Sequence, residues 1–84
     1  MFYVYILYSY SSKRYYTGHT KDLKVRLTDH NRGKVRSTKA YVPWEIVYLE
    51  KFSTKTGAYK REMQIKSYKS GDAFHKLLSD WRGG

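Results

Sequence analysis

Five side chains in this 84-residue sequence have types and spacing that could do chemistry: Tyr5, Tyr16, Arg26, His30 and Glu62. Tyr5 and Tyr16 lie in two neighbouring strand-like stretches. With the turn between them centred on Tyr10 and Ser11, Tyr5 faces Tyr16, Leu7 faces Arg14 and Tyr3 faces Gly18. Opposed residues of an antiparallel pair have Cβ atoms about 5 Å apart on one face, so the two phenols would share a small volume. The plain alternative is an aromatic pair that only stabilises a hairpin. Gly18 marks either a bulge or the close approach of a ligand or another backbone. Arg26 and His30 stand one helical turn apart; arginine offers paired donors to a phosphate, and histidine can donate to one or shuttle a proton. On an exposed helix such a pair is equally a solvated face. Glu62 is a lone carboxylate among many cations, placed to hold a divalent ion beside a phosphate or simply to be satisfied by Lys66 at i+4.

The elements that must position these residues are legible in the pattern. Phe2–Tyr8 (FYVYILY) is β-branched, aromatic and apolar on both faces, which predicts a strand covered on both sides. Lys13–Thr20 (KRYYTGHT) predicts its hairpin partner after the serine-rich turn. Thr20 as cap, Asp22 in the first turn and Gly33 at the end predict a helix over Lys21–Arg32, with Leu23 and Leu27 packed inward. Gly33–Tyr41 is polar and basic without period and is expected to be a loop that touches phosphate. Trp44–Phe52 predicts a third strand, and Ser53 or Thr54 caps a helix running to about Lys69 on which Ala58 and Ile65 face the core. Glu62 falls within that same arc, beside the buried stripe. Asp72 caps a last helix whose Phe74, Leu77, Leu78 and Trp81 form a core stripe. The expected fold is α+β, a three-stranded antiparallel sheet flanked by helices in the order β-β-α-β-α-α, forming one domain over residues 1–84.

Composition narrows the function. Eighty-four residues with 40% hydrophobic content can fill one core. With no cysteine there is no disulfide framework, cysteine zinc site or thiol nucleophile, and His19, His30 and His75 are too scattered to form a metal cage. The longest apolar run, Phe2–Tyr8, is too short to span a membrane or serve as a signal peptide, so a soluble, cytoplasmic protein is expected. Seventeen Lys and Arg against seven Asp and Glu leave a net charge of +10. Residues 13–39 hold nine of those cations against Asp22 and Asp29, a local charge of +7. Such a patch marks a phosphate-rich partner, with Lys21, Lys24, Arg32, Lys34, Arg36 and Lys39 as the candidate contacts and a merely solubilising surface as the alternative. Tyrosines interleaved with these cations can stack on bases, although most aromatics in so small a chain must build the core.

Taken together and in order, these residues resemble the GIY-YIG nuclease family, in particular its short single-domain bacterial members related to the nuclease module of the excision-repair endonuclease. Tyr3-Val4-Tyr5 is similar to the first family tripeptide with Tyr3 in place of its glycine, and Tyr16-Thr17-Gly18 is similar to the second. Arg26 and His30 resemble the family's helix-1 arginine and the histidine one turn later. Ala58–Lys66 (AYKREMQIK) resembles the helix bearing its metal-binding glutamate, at Glu62. Ser70 is a candidate for the polar residue that some members carry after that helix. The resemblance implies metal-dependent hydrolysis of phosphodiester bonds, with DNA the favoured substrate, in repair or recombination. It further implies Tyr5 as general base with Tyr16 its partner, Arg26 stabilising charge on phosphate, and His30 orienting the phosphate or assisting proton transfer. Glu62 would hold Mg²⁺ (or Mn²⁺). Basic surroundings and the metal are expected to lower the phenol's pKa from its free value of about 10. His19 has no counterpart in the family and reads as a strand-end residue. The chain leaves no room for a separate DNA-targeting module, so substrate specificity is expected to be modest, structural or borrowed from a protein partner.

Two other classes remain open. A non-catalytic nucleic-acid-binding module retaining the nuclease fold explains the cations but not a carboxylate and two phenols among them. A small basic accessory protein of a ribonucleoprotein explains the charge alone.

Overall fold

The structure, a computed structural model, describes residues 1–82. The elements are β1 (Phe2–Ser9), β2 (Arg14–Thr20), α1 (Leu23–Asn31), a 3₁₀ turn (Lys39–Tyr41), β3 (Glu45–Phe52), α2 (Lys55–Ser67) and α3 (Asp72–Arg82). The sheet is antiparallel with strand order β2-β1-β3. The expected α+β architecture and element order are therefore those of the molecule. Among the described residues, no helix is long and apolar enough to cross a membrane.

β1 is central because both its faces are apolar. Val4 and Ile6 point to one side and join Tyr48, Ala58, Ile65, Phe74 and Leu78 beneath α2 and α3. Tyr5 and Leu7 point to the other and join Trp44, with Tyr16, Leu23, Leu27 and Ile46 packed against them. This is the period-two alternation of a strand, applied to a segment with no polar face to expose. Val4, Ile6 and Leu7 are all 0% exposed, and burial of each such side chain contributes roughly 1.5–3 kcal/mol.

The hairpin register differs from expectation. Tyr5 pairs with Gly18, Leu7 with Tyr16, and Tyr3 with Thr20. The turn is longer than a two-residue one: Ser9 still pairs with Arg14. Between them Lys13 takes φ 56° and its N–H closes on the Ser9 carbonyl at 2.7 Å. The shift is two residues, so each side chain keeps its face while its partner changes. Tyr5 and Tyr16 consequently lie diagonally, with ring centroids 6.4 Å apart, instead of directly opposed.

Helix boundaries move for local reasons. α1 starts two residues later than expected because Asp22, not Thr20, is its cap: Asp22 Oδ1 accepts from Val25 N–H at 3.1 Å. Thr20 Oγ1 instead accepts from Asp22 N–H at 3.2 Å. Gly33 ends α1 at φ +75°, a conformation glycine adopts without strain. Thr54 caps α2 as expected, accepting from Gly57 N–H at 3.0 Å, but α2 stops at Ser67, where Lys69 and Ser70 turn to φ 51° and 62°. α3 begins at Asp72, which places its carboxylate in the first turn. Phe74 and Leu78 are core, whereas Trp81 at the far end of the stripe is 40% exposed and rests against Tyr48.

Candidate active site

The candidate residues assemble around the free edge of β2. Alternation along that strand places Tyr16 and Gly18 on the α1 face and His19 on the α2 face. On the first face lie Tyr5, Tyr16, Arg26 and His30; on the second, His19, Glu62 and Lys66.

Gly18 is the seam between them. A Cβ at that position would sit 2.7 Å from Tyr5 Oη, 2.9 Å from Tyr5 Cζ and 3.1 Å from Tyr16 Cε2. The second tripeptide ends in glycine because the Tyr5 phenol occupies the space a side chain would need. The close approach that its sequence position suggested is therefore real.

Tyr5 is 1% exposed. Its Oη lies 3.0 Å from His30 Nε2, and His30 Nδ1 lies 2.8 Å from Thr38 Oγ1. Thr38 donates its hydroxyl to the Val35 carbonyl at 3.4 Å, so it accepts from His30 Nδ1–H. That leaves Nε2 to accept the Tyr5 proton. Burial, aided by the Arg26 charge, lowers the His30 pKa to about 4, which keeps the imidazole neutral. From sequence His30 reads as a residue that orients a phosphate or assists proton transfer beside Arg26, with a solvated helix face as the alternative. It is instead 0% exposed, wedged between Tyr5 and Tyr16 with ring centroids at 5.9 and 4.9 Å. This placement holds Tyr5 and offers no surface to a phosphate.

The chain's own charges do not give the lowering of the Tyr5 pKa expected from the basic surroundings. Burial pushes it up to about 12, Arg26 opposes this only in part, and the charges of Tyr16 and Glu62 add to it. Desolvation of the phenolate outweighs the neighbouring cation. Tyr16, by contrast, is half-buried and lines two clefts, one of about 260 Å³ shared with Thr17, Lys66, Lys69 and Ser70. Arg26 joins the two phenols: contact with Tyr5 foremost, and with Tyr16, raises its guanidinium above the usual value despite partial burial.

Glu62 is 7% exposed on α2, inside the buried arc that its helical position predicted. Its Oε1 lies 2.5 Å from His19 Nδ1 and its Oε2 lies 2.6 Å from Lys66 Nζ. The partnership with Lys66 was one of the alternatives open from sequence; the one with His19 was missed. Its only signal was strand alternation, which turns the residue after Gly18 toward α2. Thr38 was missed too, because nothing local in a polar loop distinguishes the one hydroxyl that turns inward. Lys21, Lys24, Arg32, Lys34, Arg36 and Lys39 are all exposed.

The chain is similar to proteins already described. Residues 1–72 match the family described as the GIY-YIG catalytic domain. A UPF0213 protein of Staphylococcus epidermidis is 48% identical over 54 residues, covering 63% of this chain and 66% of that protein. One from Staphylococcus aureus is 46% identical over the same extent. The match thus spans about two thirds of these relatives' length. The UPF0213 protein of Bacillus halodurans, solved by solution NMR, superposes with a TM-score of 0.59 at 32% identity, covering 94% of this chain and 84% of that one.

The fit of a divalent ion can be judged from the donors. Among the described residues, no group of three or more His, Cys, Asp or Glu clusters as a metal cage. Mg²⁺ is commonly held by one or two carboxylates while waters and substrate phosphates complete its shell. Glu62 offers that single hard anchor at the strand edge, and it fits such an ion once Lys66 leaves Oε2.

Proposed function

Because the chain belongs to the GIY-YIG catalytic domain family, we propose that it is a metal-dependent endonuclease hydrolysing phosphodiester bonds in DNA, with a role in repair or recombination. The observation that carries this reading is the nearly buried Glu62 carboxylate held against β2 through His19, with Arg26 against both phenols on the other face of that strand. Neither a hairpin-stabilising aromatic pair nor a basic binding surface calls for such a carboxylate.

In this mechanism Tyr16 is the base that takes the proton from the attacking water, because it reaches solvent and Tyr5 does not. Tyr5 keeps its own proton, donates it in a hydrogen bond to His30 Nε2, and, with Arg26, fixes the orientation of Tyr16. Arg26 donates to the phosphate as negative charge builds on it. Glu62 would hold Mg²⁺ (or Mn²⁺), which when bound neutralises the leaving oxygen. His30 is a positioning residue, anchored by Thr38. The exposed cations of α1 and the following loop would track the backbone phosphates, and a protein partner would select the substrate.

The test is cleavage of supercoiled plasmid and of branched and flap oligonucleotides with Mg²⁺, Mn²⁺ or EDTA. Wild type is expected to cut only with metal. Tyr16→Phe and Glu62→Ala are expected to lose cleavage while still shifting DNA, with Glu62→Ala binding at least as well because a negative charge has gone. Wild-type protein that shifts DNA yet cuts no substrate with either metal would overturn the reading in favour of a binding module.

A further inference from the structure

Among the described residues, Glu62 is the only buried carboxylate, and it is already paired at both oxygens. The two partners are not equivalent. His19 is 22% exposed at its side chain and stacks edge-on against Tyr59 at 6.0 Å. Lys66 approaches from the same helix, one turn on, and its side chain is 47% exposed. An ammonium 2.6 Å from Oε2 fills the side of the carboxylate that any second cation would need, and two cations cannot share it without strong repulsion. Lys66 also lines the cleft of about 260 Å³ that contains Tyr16, Lys69 and Ser70. An ammonium released from Glu62 therefore remains in the groove where the attacked phosphate would lie.

We infer that Lys66 is a positioning residue that holds the divalent ion's place on Glu62 in the free protein and passes to the phosphate-facing groove beside Tyr16 once an ion arrives. This deepens the proposed function and rests on the reading of Glu62 as the metal anchor. Metal and nucleic acid are thereby coupled through one side chain: each favours the arrangement that binds the other, and the coupling is reciprocal.

Two measurements test this without turnover. The first is Mn²⁺ binding followed by electron paramagnetic resonance, with no nucleic acid, for wild type, Lys66→Met, Lys66→Arg, Lys69→Met and Glu62→Gln. Lys66→Met is expected to bind Mn²⁺ about threefold more tightly, the scale of a partly exposed ion pair. Lys66→Arg should stay near wild type, Lys69→Met should change less, and Glu62→Gln should lose the site. If Glu62→Gln binds Mn²⁺ like wild type, the metal reading itself falls. If Glu62→Gln loses Mn²⁺ but Lys66→Met matches wild type or binds more weakly, the role of Lys66 falls and the metal anchor stands. The second is affinity for a duplex oligonucleotide at fixed ionic strength, with and without Ca²⁺. Lys66→Met should weaken binding more with the ion than without it, because only then does the wild-type ammonium face the phosphate. Equal weakening under both conditions would make Lys66 a fixed phosphate contact and overturn the inference.

Discussion

At Tyr5 a single phenol is enclosed by His30, Tyr16, Arg26 and the bare backbone of Gly18, and little room is left for change. Gly18→Ala would press a methyl group against Tyr5 Oη and Cζ. Tyr5 cannot swing away, because it is 1% exposed and tied to a buried histidine. We expect a loss of about 1–3 kcal/mol in urea denaturation, with the remaining folded fraction impaired in cleavage. His30 sets a pH dependence. Its folded pKa of about 4 lies below the ordinary 6.5, so between those values the unfolded chain binds the extra proton and acid favours unfolding. Stability is full above pH 6.5 and falls by on the order of 2–3 kcal/mol as pH drops toward 4. Chemical denaturation at a series of pH values reads this directly, and His30→Asn, which cannot take up a proton, should flatten the slope in that window.

Among the elements, the basic loop after α1 matters most because it is tied to the site from within. Thr38 is 1% exposed, bonds His30, and accepts through its carbonyl from the Trp44 indole N–H at 3.0 Å. Asn31 closes the other end, accepting from Trp44 N–H at 2.6 Å and donating to the Trp44 carbonyl at 3.1 Å. The loop that carries Lys34, Arg36 and Lys39 is therefore clamped to the histidine that orients Tyr5. Thr38→Val removes the hydroxyl and leaves His30 Nδ1 unpaired in the interior, a loss of about 1–3 kcal/mol. Faster amide exchange over residues 33–41, with β1 unchanged, is the expected signature. Exchange that rises uniformly along the chain would instead mean that Thr38 serves global stability alone.

For the molecule as a whole, charge decides how it meets its substrate. Half of the net charge of +10 falls on residues 21–41, which span α1 and the loop that follows, with Lys21, Lys24, Arg32, Lys34, Arg36 and Lys39 all in solvent. Affinity for nucleic acid should fall steeply with salt, by about 0.9 in log–log slope for each phosphate contacted. Replacing Arg36 and Lys39 together by Gln should reduce that slope by about 2. Because both side chains are exposed, unfolding free energy should stay within about 0.5 kcal/mol of wild type. Fluorescence anisotropy across a salt series measures the slope, and an unchanged slope would remove this loop from the contact surface.

Much of this architecture was readable from composition and periodicity alone. The two-faced apolar run of β1 demanded cover on both sides, the caps and glycines bounded the helices to within a few residues, and the helical arc placed Glu62 beside the core. These are local consequences of strand and helix periods. What tertiary structure alone decided is how the periods meet. The four residues between Ser9 and Arg14 set a hairpin register that puts Gly18, not Tyr16, opposite Tyr5. The packing of α1 on the sheet turned His30 inward and raised the Tyr5 pKa, a desolvation effect that no sequence neighbour reveals. His19 meets Glu62, and Thr38 meets His30, through contacts between segments 43 and 8 residues apart. Register, burial and such contacts depend on where separate elements come to rest against one another, and that is settled only when the whole chain packs.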